Sequence, residues 1–223
     1  LFRILDCYNL VVNNPWSSQE LKSLLEQAAN KMLGWLKEIS WSNGEIPMLN
    51  DSAPGITPRT IDLFEYAQTL GLKPRFAQLK DSGYRRLDSR EFEVVMDVGQ
   101  IAPSYQPGHS HADSLQFLLQ FKGMPIIVDT GISTYEKNAR RQVERSTESH
   151  NTVVLNKTNS SHVWSGFRVA ERASVVIEVD NDICLKASHN GYRKMGLTHR
   201  RSFSLEDGVF VIQDEVISKK QKV

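Results

Sequence analysis

Cysteine is scarce in this sequence, with Cys7 and Cys184 the only two among 223 residues. They lie far apart in regions of different composition, and their spacing matches no metal-binding motif. We therefore predict two buried thiols in place of a disulfide or a cysteine-based metal site. Such a pair does not indicate the compartment in which the protein works.

The sequence also lacks an excess of charge of one sign and any long apolar run. Lys and Arg number 27 against 26 for Asp and Glu, which gives a net charge of +1. This balance gives no sign of nucleic-acid or membrane binding. No apolar run reaches the length of a membrane span, and the opening LFRILDCYNLVV has neither the basic region nor the cleavage site of a signal peptide. We predict no nucleic-acid partner and no membrane insertion, and the oligomeric state stays open.

The first 71 residues carry the apolar spacing of helices. Residues 1–13 show this spacing from the first position and begin without a cap, as the end of a larger helical structure would. Ser17 and Glu20 form a capping-box pattern ahead of a wide apolar stripe. Thr57 and Pro58 predict the start of another helix. We therefore expect helical hairpins in this part of the chain.

Beyond residue 83 the apolar spacing changes to the alternation of β-strands. The segments with this pattern are YRRLDS, EFEVVMDVG, SLQFLLQF, MPIIVDTG, NTVVLN, ASVVIEV, ICLKAS, THRRSFSL and GVFVIQDEVI. Turn residues at 180–182 (DND) and 206–208 (EDG) join neighbouring segments at hairpin length. We predict an α+β multidomain chain, with a helical domain over residues 1–80 and an antiparallel β-sandwich over residues 81–223 that stops short of its full set of strands.

The densest set of chemically active side chains lies between residues 107 and 155. His109 and His111 are two apart, so in an extended segment both imidazoles project from the same face. Asp129 ends the apolar segment IIVD, where a buried carboxylate needs a cation or hydrogen-bond donors, and His150 precedes another apolar segment. Two imidazoles and a carboxylate suit zinc or a similar divalent ion. The alternative is a set of separate polar residues, each satisfied by the backbone.

These motifs carry a resemblance to a known family. The order GHSHADSLQFLLQFKGMPIIVDTG, then Tyr135, then RSTESHNTVV resembles the heparinase II/III-like polysaccharide lyases, which include alginate and oligoalginate lyases of the same architecture. The resemblance implies an incomplete α/α toroid, of which residues 1–80 would be the remnant, followed by an antiparallel β-sandwich. It also implies a full protein that is periplasmic or secreted.

The resemblance further implies roles for individual residues. By their positions in the motifs, His111, Asp129 and His150 would bind a divalent metal, with zinc as the expected ion and a mainly structural role. His109 would be catalytic or contact the substrate. Tyr135 resembles a tyrosine near the active cleft of these lyases, and the alternative is a hydroxyl that caps a loop.

Such lyases remove the C5 proton of a uronic acid and expel the C4 oxygen, which requires a base, an acid and neutralisation of the carboxylate. His109 would serve as the base or as the neutralising group. Arg141 and Arg145 are candidates for binding a substrate carboxylate or sulfate, because guanidinium matches planar anions; structural ion pairs are the alternative. Asn50 and Asp51, in NDSAPG, resemble a loop that faces the cleft and contacts substrate, although the same residues also suit a simple turn.

One departure from the family concerns the acid. In these lyases the principal tyrosine acid and a group that neutralises the carboxylate come from toroid helices well upstream of the paired histidines. Only about two helical hairpins precede the pair here, and Tyr8 and Tyr66 lack a matching context. We therefore expect the missing groups before Leu1 and expect the chain alone to be inactive.

Some side chains outside these motifs receive simpler interpretations. Trp164 and Phe167 could stack on sugar rings, but Trp in a sandwich is more often part of the core. His162, His189 and His199 match no motif, so we interpret them as surface or core histidines.

Three other functional classes stay open. An HxH pair with a later histidine is also the cupin pattern, although cupins place Glu a few residues after the pair, where this sequence has Leu115 and Gln116. A non-catalytic glycan-binding or polysaccharide-assembly protein of the same fold is the second class, and a metal-dependent hydrolase is the third. We predict a polysaccharide lyase that cleaves a uronic-acid-containing acidic polysaccharide or oligosaccharide by β-elimination, with glycosaminoglycan and alginate both open as substrates.

Overall fold

Residues 1–218 are described by the computed structural model, and they divide into two units. The first unit comprises Leu1–Pro47 and Pro54–Asp81. The second comprises Met48–Ala53 and the chain from Ser82 onward. The segment Met48–Ala53 therefore belongs to the second unit, although it lies between two parts of the first unit in sequence. A single domain boundary near residue 80 would assign this excursion of the chain to the first unit.

The first unit is helical. Its helices are α1 (Phe2–Val12), α2 (Gln19–Ile39) and α3 (Thr60–Thr69). Each helix has an apolar face, because apolar residues recur at helical spacing. These faces bury one common core, made of Leu5, Tyr8, Ala29, Leu33, Leu63, Ala67 and Leu72.

Two helix starts differ from the sequence prediction. Ser18, not Ser17, caps α2, because its hydroxyl accepts a hydrogen bond of 3.0 Å from the backbone N–H three residues further on. The third helix begins at Thr60, later than Thr57 and Pro58 predict. Asp62 reaches back to accept the backbone N–H of the residue before Thr60 at 3.2 Å, which fixes the helix start there.

The second unit contains two antiparallel sheets of four strands each. The first sheet has the order β1-β2-β3-β4, with β1 at Tyr84–Asp88, β2 at Phe92–Asp97, β3 at Phe117–Phe121 and β4 at Met124–Ile127. A two-stranded hairpin follows, with β5 at His162–Trp164 and β6 at Arg168–Ala170. The second sheet has the order β10-β9-β8-β7, with β7 at Val175–Asp180, β8 at Cys184–His189, β9 at Leu197–Glu206 and β10 at Val209–Ser218. The predicted succession of helices and antiparallel strands is confirmed.

The two sheets share one apolar core, as the sheets of a sandwich do. The first sheet and the residues next to it contribute Leu87, Val94, Met96, Val98, Leu115, Phe117 and Leu119, and the second contributes Val175, Leu185, Ala187 and Phe203. The EDG turn joins β9 to β10, and its Asp207 and Gly208 have φ of 48° and 79°. Positive φ at both positions suits the right-handed twist of a tight hairpin, which confirms the predicted connection.

Two local predictions in this unit differ from the structure. The segment NTVVLN, expected to be a strand, forms only an isolated bridge between Leu155 and Thr158. Its first residue, Asn151, uses its side-chain amide to donate to the carbonyls of Phe117 and Val128, at 3.0 and 2.9 Å. A side chain thus makes the links to β3 and to the residues after β4. The hairpin β5-β6 is absent from the prediction because three residues are too short to show an alternation.

Both cysteines are free thiols. Cys184 is partly buried, but Cys7 is exposed, so the prediction of burial is wrong for Cys7. Its helix turns that position away from the core formed by its neighbours Leu5 and Tyr8. Among residues 1–218, no helix combines the length and the apolarity needed to cross a bilayer.

Candidate functional site

Four segments of the second unit meet around the paired histidines. One is the loop between β2 and β3 that contains HSH, and another is the VDTG turn after β4. The third is the short helix α4 (Ala139–Glu144) with the SHN sequence that follows it. The fourth is Met48–Ala53. Residues separated by up to 90 positions in sequence therefore lie in hydrogen-bond contact.

Asp51 is the centre of this site. Its Oδ1 contacts His111 Nε2 at 2.8 Å and Arg141 Nη1 at 2.5 Å. Its Oδ2 contacts His109 Nδ1 and Arg141 Nη2, each at 2.8 Å. Burial would by itself raise the pKa of Asp51, but the hydrogen bonds from His111, Arg141 and His109 outweigh it and lower the pKa to about 2. The side chain is therefore an ionised carboxylate at neutral pH.

His109 stands at the exposed edge of the site, with 59% of its side chain accessible. Its ring lies 6.0 Å from the ring of Tyr135 and 5.9 Å from that of Phe167, both in edge-on geometry. Tyr135 and Phe167 are themselves 5.3 Å apart and partly exposed. Trp164 is also exposed, which differs from the core position expected for it. The three rings form an aromatic wall, a term used below for His109, Tyr135 and Phe167.

Arg141 lies beneath this wall and is fully buried. Its guanidinium is 5.3 Å from the Tyr135 ring centre and 5.7 Å from that of Phe167, within the range of cation–π attraction. Besides its two bonds to Asp51, it donates through Nε to the Gly166 carbonyl at 3.0 Å. These contacts give Arg141 a positioning role within the site, and its predicted substrate contact stays a prediction.

Arg145 is also fully buried, and its guanidinium contacts backbone carbonyls. It donates twice to Ser110, at 3.1 and 2.9 Å, and more weakly to the carbonyls of Trp164, Ser165 and Arg168. Burial, and then the charge of nearby Arg141, lower its pKa to about 10. Arg145 thus joins the HSH loop to the β5-β6 hairpin that carries Phe167, and its predicted substrate contact stays a prediction.

Asn50 fixes the backbone of the paired histidines. Its Oδ1 accepts the backbone N–H of His111 at 3.2 Å, while its Nδ2 donates to the hydroxyl of Tyr84 at 3.3 Å. Asn50 has a left-handed backbone with φ of 51°, which Asn tolerates better than most residues. The NDSAPG loop forms the turn given as its alternative interpretation, and this turn brings Asn50 and Asp51 to the histidines. Contact of these residues with substrate stays a prediction.

The three expected metal ligands, His111, Asp129 and His150, lie close together, but their ligand atoms do not converge on one point. His150 Nδ1 is 2.6 Å from Asp129 Oδ2, and the rings of His111 and His150 are 5.2 Å apart. Burial opposes protonation of His150, but the hydrogen bond that its ring donates to Asp129 and the charges of the neighbouring carboxylates outweigh it and raise the pKa of His150. His111 Nδ1 and His150 Nε2 are buried, and neither has a hydrogen-bond partner within the part of the chain described.

Those two nitrogen atoms bear on whether the residues fit a metal. Two buried imidazole nitrogens without partners are suitable donors for zinc. Within residues 1–218, however, no three or more His, Cys, Asp or Glu side chains converge in a way that could hold an ion. The donor types therefore fit, while the arrangement supplies two free donors and not three.

Two further carboxylates lie beside this group: Asp113, which is buried and belongs to the same dense stretch of sequence, and Asp97, which is partly buried and was not predicted as a site residue. Burial, and then the charge of Asp113, raise the pKa of Asp97 to about 8, and burial also raises the pKa of Asp113. Asp97 ends β2 after a run of apolar residues, as Asp129 follows the apolar end of β4. A carboxylate at the end of a buried strand was the signal that could have identified it.

The fold and this site define the class of protein. A helical unit precedes an antiparallel β-sandwich that carries a paired-histidine site on its loops. Residues 71–222 match the family model described as heparinase II/III-like, C-terminal. The chain therefore belongs to the heparinase II/III-like family, which favours the lyase resemblance over a cupin.

Solved structures of similar fold include a heparan sulfate lyase and a heparinase III. The heparan sulfate lyase HepC from Pedobacter heparinus superposes with a TM-score of 0.65 at 20% identity, covering 96% of this chain and 36% of that one. A structure titled heparinase III gives a TM-score of 0.60 at 19% identity, covering 96% of this chain and 35% of that one. Identities this low show the fold alone, and the chain spans about a third of the length of these proteins. No curated protein matches the chain.

Proposed function

We propose that this chain is the end of the helical toroid and the β-sandwich of a polysaccharide lyase that cleaves a uronic-acid-containing acidic polysaccharide by β-elimination. The observation that carries the proposal is the exposed His109 imidazole, which lies beside Tyr135 and contacts the Asp51 carboxylate. Arg141 binds the same carboxylate. The names of the structural neighbours support a glycosaminoglycan as the substrate class. A periplasmic or secreted location belongs to the same proposal.

The chemistry of β-elimination assigns tasks to these residues. A base must take the C5 proton, the neighbouring carboxylate must be neutralised, and the C4 oxygen needs a proton as it leaves. His109 serves as the base or the neutralising group. Burial and the charge of Asp51 raise the pKa of Tyr135, so its hydroxyl keeps its proton at neutral pH and can donate. None of the described residues is assigned the role of principal tyrosine acid, and we expect the chain alone to give no turnover.

A bound zinc ion is a further part of the proposal. His111, Asp129 and His150 would hold it, and it would stabilise the loops that carry His109. The support is the pair of buried, unpartnered imidazole nitrogens. Elemental analysis of the purified chain should find near-stoichiometric zinc, and the His111→Ala variant should lose it. A folded, metal-free wild-type chain would remove the ligand assignment.

The substrate proposal is tested by binding and by products. Heparan sulfate oligosaccharides should shift the NMR signals of His109 and Tyr135 in the isotope-labelled chain, and His109→Gln should weaken the binding. The full-length protein should release an unsaturated uronate that absorbs in the ultraviolet. Binding with no product would favour the non-catalytic glycan-binding alternative. Products without the ultraviolet absorbance would favour a hydrolase, and perturbation of residues elsewhere would contradict the site.

A further inference from the structure

The carboxylate of Asp51 accepts as many hydrogen bonds as it can. A carboxylate offers about four lone-pair sites, two on each oxygen. Here Oδ1 faces His111 Nε2 and Arg141 Nη1, while Oδ2 faces His109 Nδ1 and Arg141 Nη2. Only 5% of the side chain is exposed. No acceptor site is left for a hydroxyl or amide of a substrate.

The charge state of Asp51 decides which histidine nitrogens carry a proton. An ionised carboxylate can only accept hydrogen bonds, and the two contacts from the Arg141 guanidinium keep it ionised. Each imidazole nitrogen that faces it at 2.8 Å must therefore donate. This places the proton of neutral His109 on Nδ1 and that of neutral His111 on Nε2. The Nδ1–H form is the less common one for a free histidine, so the site selects it for His109.

We propose that Asp51 is a positioning residue that fixes the tautomers of His109 and His111, and not a residue that binds substrate. His109 then presents the lone pair of Nε2 at the exposed edge of the aromatic wall, where it can accept a proton. His111 keeps the lone pair of Nδ1 inside the protein, beside the His150 ring. The hydrogen-bond geometry does not depend on the proposed function. Only the role of the His109 lone pair as a proton acceptor in the reaction rests on that function.

The tautomer can be measured directly in the 223-residue chain. Long-range proton–nitrogen NMR spectra of histidine-labelled protein distinguish a protonated ring nitrogen from an unprotonated one by its nitrogen shift. The loss of one spin system in His109→Gln assigns the His109 signal. At a pH where His109 is neutral, we expect protonated Nδ1 and unprotonated Nε2, with well-separated shifts. A His109 ring protonated at Nε2, or averaged between the two forms, would overturn the proposal.

Variants at aspartate test whether Asp51 is the cause. In Asp51→Asn the side chain can also donate, so His109 should shift toward the Nε2–H form. Asp182→Asn, at an exposed turn residue, is the matched control and should leave the spectrum unchanged. A folded Asp51→Asn protein that retains a single Nδ1–H form would contradict the proposal. If this variant does not fold, the wild-type spectrum still decides. Because no substrate is present, failure of the lyase proposal would leave this result unaffected.

Discussion

At the scale of single residues, adjacent Arg140 and Arg141 offer a matched comparison. Arg141 is fully buried and is the cationic partner of Asp51, whereas the Arg140 side chain is 65% exposed and pairs with Glu144. Arg141→Met should lower the free energy of unfolding by about 3–5 kcal/mol, because it leaves the Asp51 carboxylate buried without its charged partner. Arg140→Met should cost at most about 1 kcal/mol, as exposed ion pairs do.

Urea unfolding followed by circular dichroism measures both costs. The difference between the two variants is the informative quantity, since each removes one arginine from the same short helix. Equal effects would mean that the contacts of Arg141 with Asp51 contribute no more than a surface ion pair. That outcome would also weaken the view of Asp51 as a carboxylate held ionised by its surroundings.

The residues of the site were partly predictable from the sequence. His109, His111, Asp129 and His150 stand in short motifs, and the structure places them in one region of the second unit. The role of Asp51 was not predictable, because its partners lie 58 to 90 positions away and no local pattern records such a pairing. Likewise, no sequence pattern predicts the contacts of buried Arg145 with backbone carbonyls.

At the scale of elements, the VDTG turn after β4 depends on Gly131. This residue has φ of 59°, and a Cβ built there would lie 2.3 Å from the Ser52 carbonyl oxygen. The Ile132 backbone N–H donates to that same oxygen at 3.2 Å, so the turn and the segment Met48–Ala53 are in direct contact. Gly131→Ala should therefore cost roughly 3 kcal/mol or more, from backbone strain together with a clash against backbone.

Gly123 provides the control, since it has φ of 75° in the β3-β4 turn and a Cβ added there would meet nothing within 4 Å. Gly123→Ala should cost only the strain of a left-handed alanine, roughly 1–2 kcal/mol. Thermal or urea unfolding gives both values. A Gly131→Ala cost no larger than that of Gly123→Ala would show that Met48–Ala53 moves aside easily, and that its contact with the turn does not hold Asp51 in place.

The strands were predictable where they are long enough to alternate. Eight of the nine segments chosen from the sequence correspond to β1–β4 and β7–β10. The ninth, NTVVLN, has the composition of a strand, but its asparagine side chain replaces the backbone ladder. The helix starts were misplaced by one or a few residues because neighbouring side chains compete for the same capping positions.

At the scale of the whole molecule, the change from helices to antiparallel strands was visible in the sequence because the two periods differ. The excursion of Met48–Ala53 into the second unit was not visible, because the residues on both sides of this segment belong to the first unit. A division of the sequence into two continuous domains cannot represent such a segment. That segment carries Asp51, so the part of the site hardest to predict is also the part supplied by this excursion.

A relay of hydrogen-bonded side chains links β8, β9 and β10, with His189 and His199 buried and Asp214 partly exposed. The Gly191 N–H donates to His189 Nδ1 at 3.1 Å, so neutral His189 carries its proton on Nε2 and donates to His199 Nδ1 at 3.0 Å. His199 then donates to Asp214 Oδ1 at 2.7 Å, and the Arg201 guanidinium binds the same carboxylate. Every group in the relay acts consistently as donor or acceptor, which leaves no place for a second proton on His189.

The pH dependence of stability should show this relay. Burial, and then the charges of His199 and Arg201, lower the pKa of His189 to about 3, against about 6.5 in an unfolded chain. Between these values the unfolded chain binds a proton that the folded protein does not. The contribution of His189 to the free energy of unfolding should therefore fall as the pH is lowered from about 6.5 toward 3, by up to about 1.4 kcal/mol per pH unit. Asp97 contributes with the opposite sign between about 4 and 8, because its raised pKa makes the folded state bind a proton that the unfolded chain lacks.

Urea midpoints measured at several pH values between about 4 and 7 test this directly. His189→Gln keeps a donor for His199 but has no titrating ring, so its stability relative to the wild type should rise as the pH is lowered from about 6.5 to 4. His162→Gln is the control, because it removes a histidine from an exposed position and separates the loss of any histidine from the loss of the buried one. Equal slopes in the wild type and in His189→Gln would contradict the predicted contribution of His189. Asp214 does not supply the same signal, since its pKa is lowered by His199 and Arg201 despite burial, and its contribution is lost only below the pKa of an unfolded aspartate, about 3.9.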